Sequence, residues 1–152
     1  MTIAHKFVNW SQATISAAKA CSDMEFCISH SRQAISDADS RMYNPKGTNL
    51  SREPVSGGTS KAEDTWINCI DAKQNVQSKL QDAEAYMAWF KPAWNRLKEE
   101  ERILIEERYM IQRINGERWV ISASNRVPYE RTRIYEKSDE AIRRLTTMLY
   151  AG

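Results

Sequence analysis

The segment "NRVPYERTRIYEKSDEAIRRL", from Asn125 to Leu145, gathers side chains that can bind nucleic acid. Six of them fall within the first two turns of a predicted helix: Arg131, Thr132, Arg133, Tyr135, Glu136 and Lys137. Arginine offers paired N–H donors to guanine edges and to phosphates, while threonine and glutamate can contact other bases. Pro128 ends the preceding segment, so a new helix can begin just before this cluster.

The apolar spacing of this segment predicts where those side chains project. Five residues have the spacing of one buried helical stripe: Ile134, Ala141, Ile142, Leu145 and Leu149. Only Ile134 of this stripe lies in the first two turns, so the polar cluster must face away from the core. We therefore predict a final helix from about residue 130 to residue 150, with an exposed basic beginning.

Three more arginines, Arg113, Arg118 and Arg126, precede this helix and are expected to contact the phosphate backbone. From residue 113 to residue 135 there are five arginines and two glutamates, although the whole chain has a net charge of only +2. Any basic surface must therefore be local. The alternative interpretation of these arginines is that they form a solvated helix face with no binding role. Tyr135 is equally compatible with packing and with a phosphate contact, and Trp119 is expected in the core.

The residues just before this segment predict two shorter helices. "NRLKEEERILIEERYMIQRINGERW" has an apolar helical set, acidic residues in its first turn, and a stop at Asn115-Gly116. A short helix of about residues 117–126 should follow, with Val120, Ala123 and Val127 on its inner face. A short middle helix, a tight turn and a longer basic helix predict a helix-turn-helix domain over residues 97–152.

The first 96 residues predict a long helical hairpin. Small or apolar residues recur at alternating spacings of three and four residues in the first helix, at positions 7, 10, 14, 17, 21, 24, 28, 31, 35, 38 and 42. The same spacing returns between positions 62 and 97, where Lys73 is the one residue that interrupts the apolar stripe. Between them lies a proline- and glycine-rich loop at about residues 43–59, and Ser60 and Glu63 form a predicted capping box. Pro92 predicts a kink or a break. We expect an all-α protein with an antiparallel, coiled-coil-like hairpin that mediates homo-oligomerisation.

Other chemistry finds little support in the sequence. Cys21, Cys27 and Cys69 lack the spacing of a zinc site and are interpreted as reduced thiols. His5 and His30 are interpreted as surface residues. No nucleophile, metal set, cofactor motif or phosphate loop is evident, so we predict that the protein is not an enzyme and needs no cofactor or metal. No signal sequence or membrane span is expected, which favours a cytoplasmic protein.

The C-terminal third resembles sigma-factor region 4-like domains. "EEERILIEERY" is similar to the start of those domains, and "VPYERTRIYEKSDEAIRRL" aligns without gaps with their "lgySrsTVyriHkkALkkL" segment. The matching positions are Tyr129, Arg131, Ile134, Tyr135, Ala141 and Leu145. The chain departs from the pattern at Pro128, where a turn glycine is usual, and at Ala123-Ser124, where Ile-Ala is usual.

The upstream sequence resembles the phage-encoded ArpU/RinA-type transcriptional regulators. Three features carry this resemblance: the long first helix, the "PVSGG" loop and the segment "KAEDTWINCIDAKQ". This resemblance implies a cytoplasmic DNA-binding protein of a bacterial host that regulates transcription, often of late phage genes, with its last helix in the major groove. Double-stranded DNA is the expected partner, with RNA polymerase as a further one. Two alternatives stay open: a phage terminase small subunit, which acts in DNA packaging, and an adaptor that binds RNA polymerase.

Overall fold

The computed structural model describes residues 8–43, 61–113 and 117–151, and these residues form helices and connecting turns without any strand. The predicted all-α fold class is therefore confirmed. The helices are α1 (Trp10–Tyr43), α2 (Lys61–Arg96), α3 (Glu99–Ile105), α4 (Trp119–Ser124) and α5 (Arg131–Tyr150). A π-helical turn, Glu106–Met110, continues directly from α3. The predicted loop at residues 44–59, Ser60 of the capping box and the Asn115-Gly116 stop lie outside the described residues.

The two predicted stripes are largely covered in the structure. On α1, Thr14, Ala17, Cys21 and Ser31 are buried, and the remaining described positions of the stripe from residue 10 to residue 42 are half-buried. On α2 the stripe is half-buried or buried from Cys69 onwards, whereas Trp66 is exposed. The three-four spacing thus predicted the packed face of both helices.

Helix α2 continues through Pro92 and ends at Arg96. The sequence predicted a kink or a break at this proline. A break there is wrong, because Pro92 lies on an exposed position of a continuous helix, where the missing N–H removes a single backbone hydrogen bond. The chain leaves the helix at Leu97, whose side chain is buried.

The chain divides into two compact units. One unit is Met24–Ala85, and the other combines Met1–Asp23 with Tyr86–Gly152. This division differs from the predicted boundary between residues 96 and 97. The reason is that Ala18 of α1 and Phe90 of α2 are buried in the same apolar cluster as Ile142 of α5, so the second unit includes one end of each long helix.

Within Met24–Ala85, α1 and α2 pack in an antiparallel arrangement. Lys73, the polar residue of the α2 stripe, donates to Asp39 of α1 at 2.6 Å, and Arg32 donates to Glu84 at 3.1 Å. The charged partner of Lys73 therefore comes from the neighbouring helix of the same chain. A cavity of about 220 Å³ lies beside this ion pair, lined partly by Ala34, Ala38, Ala72 and Val76.

The other unit contains two apolar clusters that together hold α5. The C-terminal half of α5 contributes Ala141, Ile142 and Leu145 to the cluster with Ala18 and Phe90. The N-terminal half contributes Ile134 to a second cluster. That cluster also contains Leu104 of α3, Val120 and Ala123 of α4, and Val127 of the connecting turn. The predicted stripe of α5 is confirmed, because its members are buried except for the half-buried Leu149.

Candidate nucleic-acid interface

The first turn of α5 presents Arg131, Thr132 and Arg133 as exposed side chains. The preceding residue, Glu130, has an extended backbone (φ −70°, ψ 155°) and caps the helix without a side-chain hydrogen bond. Within the described part of the chain, neither Arg131 nor Arg133 has an ion-pair partner. The buried Ile134 fixes the helix from behind, so these three side chains are held on the outer surface.

The second turn of α5 carries the other three predicted contacts, and their surroundings differ. Glu136 is exposed, with no ion pair to a described residue. Tyr135 is 48% exposed and packs edge-on against Trp119 of α4, with ring centroids 5.2 Å apart. Lys137 pairs with Glu140 at 3.0 Å and lies 5.9 Å from the ring centre of Tyr129. Of these three, Lys137 already has a charged partner within the protein.

Glu107 engages two of the three arginines that were expected on the DNA backbone. It is only 3% exposed, and it lies in the π-helical turn. Its carboxylate accepts from Arg126 at 2.7 Å and also from Arg113 in a close ion pair. The Arg113 side chain is 14% exposed and donates to the Glu107 carbonyl as well, whereas the Arg126 side chain is 42% exposed. Arg113 is therefore mainly internal, and Arg126 keeps part of its surface open.

The charge state of this cluster follows from its hydrogen bonds. Burial raises the pKa of Glu107, but hydrogen bonds from Arg126, Ser122 and Arg113 outweigh that effect and hold its pKa below the ordinary value. The hydrogen bond to Glu107 in turn raises the pKa of Arg126. Glu107 is therefore ionised at neutral pH. Its buried carboxylate holds Arg113 of the segment before α4 and Arg126 of the turn after α4.

Arg118 differs from the other two upstream arginines in its lack of a carboxylate partner among the described residues. It is exposed and caps α4 with an extended backbone (φ −80°, ψ 121°). It has no ion pair with the described residues. Trp119, the next residue, is half-buried against the second apolar cluster, as the sequence predicted for a core position.

Sequence reasoning missed Arg108, which joins the π-helical turn to α5. Its guanidinium carbon lies 5.1 Å from the ring centres of both Tyr109 and Trp119 and 5.9 Å from that of Tyr135. Nη1 donates to Asp139 at 2.7 Å and to the buried Ser138 hydroxyl at 3.2 Å. The local spacing does not reveal these contacts, because Trp119 is 11 residues away and the hydrogen-bond acceptors Ser138 and Asp139 are 30 and 31 residues away.

The described residues offer no cluster of three or more His, Cys, Asp or Glu side chains for a metal ion. Cys21, Cys27 and Cys69 form no disulfide with one another. Among the helices described, none combines the length and apolarity that crossing a membrane requires.

Comparisons with known proteins identify no relative: no family model matches the chain, and neither a curated protein nor a solved structure is detectably similar to it.

Proposed function

We propose that this protein is a sequence-specific DNA-binding transcriptional regulator that reads the major groove with the first turns of α5. The observation that carries the proposal is the group Arg131, Thr132 and Arg133, exposed at the beginning of a helix whose opposite face is buried. Arginines that have no ion pair with the described residues are available to guanine or phosphate, and the exposed Glu136 one turn later can accept from cytosine.

In this proposal α4 and α5 form a helix-turn-helix. Val120 and Ala123 of α4 pack with Ile134 of α5 in one apolar cluster, which supports a fixed geometry between the two helices. The connection between them spans residues 125–130 and contains Val127, which is buried in the same cluster. Arg118, at the N-terminal end of α4, is then assigned to phosphate contact, while Arg113 and Arg126 serve chiefly to hold Glu107.

The proposal includes a homo-oligomer formed through the unit Met24–Ala85. Among the apolar residues described in that unit, only Ala83 is buried, and Phe26, Trp66 and Ile67 are exposed. A pair of helices with so thin a core gains stability when further helices cover it. Two DNA-reading helices in one assembly also raise the effective concentration of the second contact, which suits a domain with few free basic residues.

The resemblance to ArpU/RinA-type regulators adds the expectation of a phage or prophage protein that acts in the bacterial cytoplasm on late or neighbouring genes. The experiment that tests the proposed function is retention of fragmented source-genome DNA on the purified full-length protein, followed by sequencing of the bound fragments. Enrichment of one or a few sites upstream of genes supports the regulator. Uniform weak retention refutes it and favours an adaptor that binds RNA polymerase.

A role in DNA packaging must also be distinguished from transcriptional regulation. Enrichment beside terminase genes, together with a solution mass of a large closed ring, identifies a terminase small subunit instead. A regulator is expected as a dimer or tetramer. Light scattering on the same preparation gives this mass.

A further inference from the structure

We infer that Arg108 positions the reading face of α5 and thereby sets sequence preference, although it does not itself belong to that face. This inference rests on the proposed function. Arg108 is the one described cation that lies within 6 Å of three aromatic ring centres, those of Tyr109, Trp119 and Tyr135. It also donates to two consecutive residues of α5, Ser138 and Asp139.

The π-helical turn explains how one side chain reaches both α4 and α5. In this turn the Ile111 amide donates to the Glu106 carbonyl, five residues back, at 2.9 Å. Neighbouring residues of an α-helix point in directions about 100° apart, and the wider π-helical turn makes this angle somewhat smaller. Glu107 therefore faces Arg113 and Arg126, whereas Arg108 faces the aromatic rings and α5. Turns of this type often occur at functional sites.

The contacts of Arg108 constrain the two turns of α5 that carry the proposed DNA contacts. A planar guanidinium can stack on aromatic rings while its N–H groups donate to oxygen, and a lysine ammonium cannot do both with the same geometry. Tyr135 contacts both Trp119 and Arg108, and Ser138 and Asp139 accept hydrogen bonds from Arg108 one turn later. Arg108 thus fixes the rotation of α5 relative to α4.

Arg108 also neutralises Asp139, whose side chain is 54% exposed and lies on α5 near the exposed Glu136. Loss of Arg108 would leave an unpaired carboxylate beside the DNA. Removal of Arg108 therefore has an electrostatic effect, which weakens binding to every duplex, and a positional effect, which weakens discrimination between duplexes. The substitution Asp139→Asn separates the two effects.

The test compares full-length wild type with Arg108→Ala, Arg108→Lys and the double variant Arg108→Ala/Asp139→Asn. The probes are a duplex enriched from a random library by the wild type and a shuffled duplex of the same composition. We expect Arg108→Ala to weaken binding to both duplexes. The Kd for the shuffled duplex divided by the Kd for the enriched duplex should fall by at least about tenfold, the size of one lost base contact. The double variant should recover binding to the shuffled duplex but still show the low Kd ratio. Arg108→Lys should also show the low Kd ratio.

A matched control is Arg144→Ala, which breaks a different arginine–carboxylate pair of α5, the one with Glu101 of α3 at 3.0 Å. It should leave the ratio unchanged. A second readout uses the free protein: the nuclear Overhauser effect between the rings of Trp119 and Tyr135 should disappear in Arg108→Ala and persist in Arg144→Ala. Circular dichroism verifies that each variant is folded.

The outcomes separate this inference from the proposed function. If the wild type enriches a sequence but Arg108→Ala/Asp139→Asn retains the full Kd ratio, Arg108 is not a positioning residue. If the ring contact survives in Arg108→Ala, the inference is refuted in the same way. If the wild type enriches no sequence at all, the proposed function fails, and the role of Arg108 in recognition fails with it.

Discussion

Replacing Glu107 by glutamine should destabilise the protein strongly, although the change removes only a charge. Glu107 is 3% exposed and joins Arg113, Ser122 and Arg126 through its carboxylate. Glutamine keeps one acceptor oxygen for one of the two guanidinium groups but turns its NH₂ group toward the other. Removing one partner of a fully buried ion pair costs about 3–5 kcal/mol, because the other charge stays buried without compensation.

The partners of Glu107 place the expected cost at the lower end of that range. The Arg113 side chain is 14% exposed and cannot regain full hydration, but the Arg126 side chain is 42% exposed and can. We therefore expect a loss of about 3 kcal/mol in the free energy of unfolding, a decrease of roughly 100-fold in the folded-to-unfolded ratio.

Urea unfolding followed by circular dichroism measures this loss. Glu106→Gln is the matched control, because Glu106 is adjacent, is 36% exposed and contacts only Arg126 among the described arginines, at 3.7 Å. It should cost less than about 1 kcal/mol. A midpoint and slope for Glu107→Gln that equal those of Glu106→Gln would refute the argument that the buried carboxylate organises this part of the fold.

Three further predictions concern pH, salt and the helical stripes. The pKa of Glu107 in the folded protein is lowered from the ordinary value of 4.5, so its stabilising effect is present above pH 4.5 and is lost as the pH falls through the folded pKa. The unfolding free energies of wild type and Glu107→Gln should therefore converge in acid. A constant difference between them down to pH 2 would contradict this. Arg118→Ala should make the slope of log K against log salt shallower by about 0.9 per chain and weaken all duplexes alike, as binding titrations at several salt concentrations can measure; an unchanged slope excludes a phosphate contact. Lys73→Leu should leave the thermal midpoint unchanged or raise it, since leucine extends the apolar stripe of α2 and the Asp39 side chain left behind is 40% exposed and regains hydration; a fall of several degrees would show that this pair stabilises the fold.

The sequence predicted the parts of this fold that depend on periodic burial. The stripes of α1 and α2 repeat every three or four residues, and that of α5 has the same helical period, which helical geometry converts directly into one covered face. The beginning of α5 was predicted within one residue, because Pro128 and the polar cluster mark it. The continuity of α2 through Pro92 was missed because tertiary packing can keep a helix intact when only one backbone hydrogen bond is lost.

The candidate site was less predictable, because its electrostatics depend on distant partners. Arg113, Arg118 and Arg126 look alike in sequence, yet a buried glutamate engages two of them and leaves Arg118 exposed. The π-helical turn directs Glu107 and Arg108 to different neighbours, and a single extra residue in a turn leaves no periodic signature.

Base recognition by the first turn of α5 is best measured by selecting bound duplexes from a random library, with wild type and Arg131→Ala in parallel. We expect the wild type to enrich a single motif and Arg131→Ala to lose preference at one or two base pairs of it, at a cost of about 1–3 kcal/mol on the wild-type site. Enrichment of no motif by the wild type would contradict sequence-specific binding. Equal weakening on every duplex would reassign Arg131 to phosphate.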